Sequence, residues 1–172
     1  VLQVMKPCAA NDNGFFHVQL PTAGFPDGRR SLYYIGLGKS FSRKLLAWYR
    51  RYSRELPWRA THDPYAIWGS EIMLQQTRAA VVIPYYQKFL SRFPTVEALA
   101  EARVQDVLAC WAGLGYYSRV RNMQRAAQAM AGEFPRTYEA IRELPGVGDY
   151  TAAAVSSIAF GLPHVAVDGN VL

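Results

Sequence analysis

Leu144-Pro145-Gly146-Val147-Gly148 stands between two helical patterns, and Asp149-Tyr150-Thr151-Ala152-Ala153-Ala154 follows it directly. Two glycines in a five-residue turn allow positive φ and close backbone approach. A helix opening near Asp149 presents N–H groups that lack intrahelical partners, and such a terminus takes a phosphate without reading any base. The same string suits an ordinary helix–helix connection with a glycine cap. The run of small residues after it favours a helix–hairpin–helix DNA-binding element, with Pro145, Gly146, Val147 and Gly148 at the DNA backbone.

Working outward, helical patterns fill most of the chain. Thr137–Glu143 reads as a short helix before the hairpin, and Asp149–Phe160 as the helix after it. Ser118–Ala131 has Val120, Met123, Ala127 and Met130 at an inward spacing. Gly113-Leu114-Gly115 is a turn, preceded by helices at Val104–Ala112, Thr95–Ala100 and Pro84–Arg92. Asp63-Pro64 opens a helix over Tyr65–Thr77, which continues or restarts towards Pro84. Ser42 caps a helix with Leu45, Trp48, Tyr49 and Tyr52 on one side, and Leu56-Pro57-Trp58 ends it. Strand signals are almost absent, so the fold class is all-α. Residues 1–40 carry three prolines and five glycines without a helical period. They read as an irregular or disordered extension with a short strand at Ser31–Ile35, leaving 41–172 as the helical domain.

The 172 residues carry a net charge of +6, and most of the cations are arginine, a balance compatible with a nucleic-acid partner. A hydrophobic share of 51% against 19% charged residues excludes wholesale disorder. No apolar run reaches the length of a membrane span, and Val1–Ala10 lacks the apolar stretch of a secretory signal. Cys8 and Cys110 are too few for a disulfide framework or a four-thiolate metal site, so no metal ligands are assigned. A reducing compartment and a monomer are expected. A chain that opens on Val1 and closes at Leu172 inside a structured stretch reads as a fragment, or as a reading frame opened too far upstream.

From about Phe41 onward the chain resembles the N-terminal catalytic half of the adenine-specific DNA glycosylases. These are relatives of endonuclease III in the helix–hairpin–helix glycosylase superfamily. Five strings carry the resemblance in the family's order: Leu56-Pro57-Trp58-Arg59, Ser70-Glu71-Ile72-Met73-Leu74-Gln75-Gln76-Thr77, Gly113-Leu114-Gly115-Tyr116-Tyr117, Leu144-Pro145-Gly146-Val147-Gly148 and Val167-Asp168-Gly169-Asn170-Val171. The resemblance implies a helix–hairpin–helix glycosylase fold, cut before its iron–sulfur region. It also implies removal of adenine mispaired with 8-oxoguanine or guanine in double-stranded DNA, in the bacterial cytoplasm at the nucleoid.

Base removal is hydrolysis of an N-glycosidic bond, which calls for an acid near the base and negative charge near the sugar. Glu71 lies in an otherwise apolar helix, where burial would raise its pKa as a general acid requires; the residues alone favour a solvated polar-face glutamate and leave the buried acid open. Asp168 reads as a helix N-cap, whose dipole keeps the carboxylate ionised. The resemblance gives Glu71 the protonation of adenine N7 and Asp168 the stabilisation of the sugar cation. Tyr150 stands where lyase-competent relatives carry a lysine; tyrosine forms no imine, which implies a monofunctional enzyme. Gln76 and Tyr116 match residues that wedge into the duplex, with Gln75 on the Glu71 face; Trp58 and Arg59 match residues near the base pocket. Ser118, Arg119 and Arg121 are expected at phosphates, although a solvated surface role suits any one arginine.

The family's C-terminal cysteines, which hold a [4Fe–4S] cluster, have no counterpart in these residues, and neither does the domain that reads 8-oxoguanine. The helix of Trp48 and Tyr52 is therefore expected to expose an apolar face. Three rival readings remain: an endonuclease III-like glycosylase/lyase, a non-catalytic DNA-binding remnant, and a helical protein-interaction module.

Overall fold

The structure is a computed structural model that describes the backbone of residues 33–167 and side chains from Phe41 onward. Eight α-helices follow in order: α1 Tyr33–Tyr52, α2 Pro64–Leu74, α3 Ala79–Arg92, α4 Val96–Glu101, α5 Val104–Trp111, α6 Ser118–Ala129, α7 Tyr138–Arg142 and α8 Asp149–Phe160. A 3-10 turn at Pro57–Arg59 precedes α2, and no strand occurs among the described residues.

Helix α2 is the axis of the core. Asp63 accepts a hydrogen bond from the Tyr65 N–H at 3.0 Å and Pro64 fills the first turn, as the sequence predicts. Every residue from Tyr65 to Met73 is buried, so the helix has no solvent face. It packs against α3, α6, α8 and the 3-10 turn. Thr151 through Ser156 of α8 are all buried, and Ala152, Ala153 and Ala154 let the two helices approach closely. Around this pair the aromatic rings interlock edge to face: Trp68 with Phe134, Phe89 with Phe93 and Trp111, and Trp58 with Tyr86.

The short helices are held by their caps. Thr95 and Thr137 accept from the N–H groups of Ala98 and Ala140 at 3.2 and 3.3 Å. Buried Gln124 of α6 donates to the Ala102 carbonyl at 2.7 Å, tying α6 to the end of α4. Val120, Met123, Ala127 and Met130 face inward as their spacing predicts.

Three expectations change. Residues 33–40 are helical rather than irregular: α1 runs across the boundary expected at 40/41 and takes the described part of the strand expected at Ser31–Ile35. Once nucleated downstream, a helix propagates through Gly36 and Gly38 at about 1 kcal/mol each. The expected helix over Tyr65–Thr77 stops at Leu74, because Gln75 leaves helical geometry and Gln76 takes φ 54°. The next helix starts at Ala79 and carries Pro84 in its interior instead of at its start. The exposed apolar face expected on α1 is present: Phe41, Trp48 and Tyr52 all lie at the surface.

Phe89 is 1% exposed and contacts both Phe93 and Trp111. Phe89→Ala is expected to lower unfolding free energy by about 3–5 kcal/mol, read as a fall in the urea midpoint.

Candidate nucleic-acid interface

Two turns meet on one side of the core. The first links α2 to α3 and carries Gln76; the second links α5 to α6 and carries Tyr116. Both side chains are exposed, Tyr116 at 61%. Both residues also sit in the left-handed region, Gln76 at φ 54° and Tyr116 at φ 46°. Among the described residues only Ala131 shares this conformation without being glycine. Each such position costs about 1–2 kcal/mol and persists where neighbours over-determine it. The two residues expected to wedge into a duplex are thus the ones held against backbone preference.

Arg119 bridges the two turns. Its Nη1 donates to the carbonyls of Ile72 and Met73, each at 3.1 Å, and to that of Gln75. Its Nη2 reaches Thr77 Oγ1 at 3.5 Å and the carbonyls of Leu114 and Gly115 at 3.4 Å. The guanidinium also lies 5.3 Å from the Tyr116 ring centroid and 5.5 Å from that of Trp111. Arg119, expected at DNA phosphates, is instead turned inward. The cause is the end of α2, whose last carbonyls carry partial negative charge and lack helical donors. Burial pushes the guanidinium below the usual arginine range. Ser118 and Arg121 remain exposed on the first turns of α6.

In the hairpin, Gly146 adopts φ 77°, and a Cβ there would lie 2.7 Å from Asn122 Cβ. Gly146 is therefore required twice, by its conformation and by its packing on α6. Gly146 and Gly148 are exposed and Pro145 is half-buried. Val147, expected to face DNA with them, points into the core; its N–H donates to the Leu144 carbonyl at 3.0 Å and its carbonyl accepts from Arg142 at 3.2 Å. An apolar side chain at this position anchors the turn by burial. Beside it Arg142 donates to the Asp149 carboxylate, and this hydrogen bond and charge hold the Asp149 carboxyl below the usual carboxylate range.

Glu71 is 3% exposed, embedded in α2 beside Ser70, whose hydroxyl donates to the Ile67 carbonyl at 2.7 Å. The polar-face alternative for Glu71 is excluded by this burial. Gln75, one turn further on, is half-buried where α2 ends. Tyr150 lies in the first turn of α8, the helix packed on α2, and lines an open hollow with Tyr138, Asp149, Ala153, His164 and Val165. His164 stacks on Tyr138 at 4.7 Å. Sequence reading missed Tyr138, Asp149 and His164 as neighbours of Tyr150, because no local spacing joins residues from α7, α8 and the segment beyond. Asp168 lies outside the described residues.

Trp58 and Arg59, expected near a base pocket, lie in the 3-10 turn before α2. Trp58 is 3% exposed and meets Tyr86 edge-on at 5.4 Å, as a core residue does. Arg59 donates to the Arg54 carbonyl at 2.9 Å and covers the Tyr49 ring at 5.3 Å, tying the 3-10 turn to α1.

An iron–sulfur cluster needs four thiolates, and the sequence holds two cysteines. Cys110 is a free buried thiol, and no group of three His, Cys, Asp or Glu that could hold a metal occurs among the described residues. The residues present do not fit the cluster. No described helix is long and apolar enough to cross a membrane.

An all-α core, a glycine hairpin leading into a helix of small residues, and a buried glutamate on the helix that ends at the Gln76 turn define a helix–hairpin–helix domain. Residues 70–172 match the HhH-GPD superfamily of base excision DNA repair proteins, and the chain belongs to that family. It is 45% identical over 146 residues to the adenine DNA glycosylase of Rattus norvegicus, covering 77% of this chain and 28% of that one. To the adenine DNA glycosylase of Buchnera aphidicola subsp. Baizongia pistaciae it is 44% identical over 136 residues, covering 76% and 39%. The chain thus spans well under half the length of these curated relatives. Among solved structures, a thermostable thymine-DNA glycosylase aligns at TM-score 0.72 with 34% identity, covering 77% of this chain and 63% of that one. An endonuclease III–DNA complex shares the fold at TM-score 0.64 and 23% identity, covering 77% and 64%.

The two turn glycines separate backbone from packing cost. At Gly115, with φ 72°, an added methyl group would meet nothing within 4 Å, whereas Gly146 abuts Asn122. Gly115→Ala is expected to lose about 1 kcal/mol and Gly146→Ala about 3 kcal/mol in urea unfolding; equal losses would contradict the packing role.

Proposed function

We propose that the protein is a monofunctional DNA glycosylase that hydrolyses the N-glycosidic bond of adenine paired with 8-oxoguanine or guanine in double-stranded DNA. The observation that carries this reading is Glu71, a carboxyl buried on α2 one turn before the strained Gln76 turn. The similarity to adenine DNA glycosylases supports the choice of base.

The chemistry follows from the placement of groups. Gln76 and Tyr116 fill the gap left when the target adenine leaves the stack. Glu71 gives its proton to adenine N7. The N9–C1′ bond then breaks, its electron pair leaves with the neutral purine, and positive charge grows on the deoxyribose. Asp168 as a carboxylate stabilises that charge, and water adds to C1′ after returning a proton to Glu71. The exposed Gly146 and Gly148 at the head of α8 hold a phosphate of the same strand. In this reading the protein works as a monomer in the bacterial cytoplasm.

Glu71→Gln keeps the shape and removes the transferable proton. Single-turnover base release from a duplex with adenine opposite 8-oxoguanine is expected to fall about a thousandfold, with duplex affinity changed less than about threefold. Equal release rates would refute the assignment. Tyr150 predicts a second outcome: borohydride trapping is expected to give no covalent DNA adduct. A trapped adduct would favour the glycosylase/lyase reading instead.

A further inference from the structure

Among the described residues, Arg119 is the cation whose position departs from a DNA-facing expectation while touching both strained turns. Nη1 serves the end of α2 and Nη2 serves both Thr77 and the Leu114–Gly115 backbone. The two turns are far apart in sequence, and one rigid group bridges them. Trp111 completes the junction by donating from its indole N–H to the Gly115 carbonyl at 3.0 Å. A planar guanidinium presents five donors in a fixed fork, whereas a lysine ammonium offers three donors at a single point. The task here is bridging, not neutralising, because the acceptors are carbonyls and a hydroxyl.

We propose that Arg119 is a positioning residue: it locks the Gln76 turn and the Tyr116 turn into one preset pair, so that both side chains enter the duplex together. This rests on the reading of Gln76 and Tyr116 as duplex-facing residues. The charge of Arg119 is engaged inside the protein and makes no phosphate contact. Removing it loosens both turns at once, since each left-handed residue loses the anchor that outweighs its backbone preference.

The experiment uses Arg119→Lys, which retains the charge and most of the stem. In the protein without DNA, amide hydrogen exchange at residues 75–77 and 114–117 is expected to quicken about tenfold together, while α8 amides keep their protection. Unchanged exchange in either turn overturns the proposal. With a duplex carrying 2-aminopurine at the target base, the fluorescence rise on extrusion is expected to fall, with the salt slope of affinity unchanged. In Arg119→Met, which removes the charge, a salt slope smaller by about one with normal extrusion would mark a phosphate contact and overturn it. If α8 protection is also lost, a second set decides: Gln76→Ala, Tyr116→Ala and their combination, at exposed positions the core tolerates. A preset pair predicts that the double variant loses little more extrusion than either single one; strict additivity overturns the pairing. If the unaltered protein extrudes no base from any duplex, the glycosylase reading fails, and the exchange measurement still decides what Arg119 does.

Discussion

A helix buried on every side still ends in carbonyls that have no helical donors. That constraint governs this structure. α2 gains its place at the centre by burying residues all round, Ser70 and Glu71 among them, and its final carbonyls lack helical donors. Arg119 meets them, and because the same guanidinium reaches the Leu114–Gly115 turn, the solution to a core problem becomes a surface arrangement. Glu71 falls under the same constraint. A carboxyl in the middle of such a helix is costly for stability, and the surrounding fold is what makes the position tenable.

Sequence patterns reveal a large part of this. α4, α7 and α8 begin where Thr95, Thr137 and the hairpin glycines place them, and the inward face of α6 follows its spacing. Such features are local: a cap acts within one turn, and a period is written along one helix. The end of α2 is not legible, because nothing in Gln75-Gln76-Thr77 breaks a helix by propensity. A side chain from α6 supplies the reason. Arg119 itself reads as a surface cation by residue type, and only the tertiary arrangement shows carbonyls around it. Val147 shows the same limit in the hairpin, where the turn is legible and its inward anchor is not.

The site follows a similar division. Glu71, Gln75, Gln76, Tyr116 and Tyr150 stand out through short strings or the residues beside them, and the structure gives each a definite environment. Trp58 and Arg59 share a string, yet one serves the aromatic core and the other the seam with α1. Adjacent residues in a motif need not share a task, since a 3-10 turn sends neighbouring side chains in different directions. The hollow around Tyr150 draws on α7, α8 and the segment after it, so no short window of sequence contains it.

The order in which the ribosome delivers these helices adds a last consequence. The most deeply buried helix, α2, is made early, and α8, which covers much of it, is made roughly 75 residues later. At ordinary elongation rates the interval is about 4–15 seconds. Throughout that time the face of α2 that α8 covers lacks its final partner. Nascent chains of this protein should therefore depend on holding factors that recognise exposed apolar helix, and the demand should end abruptly when the hairpin emerges and α8 closes over it.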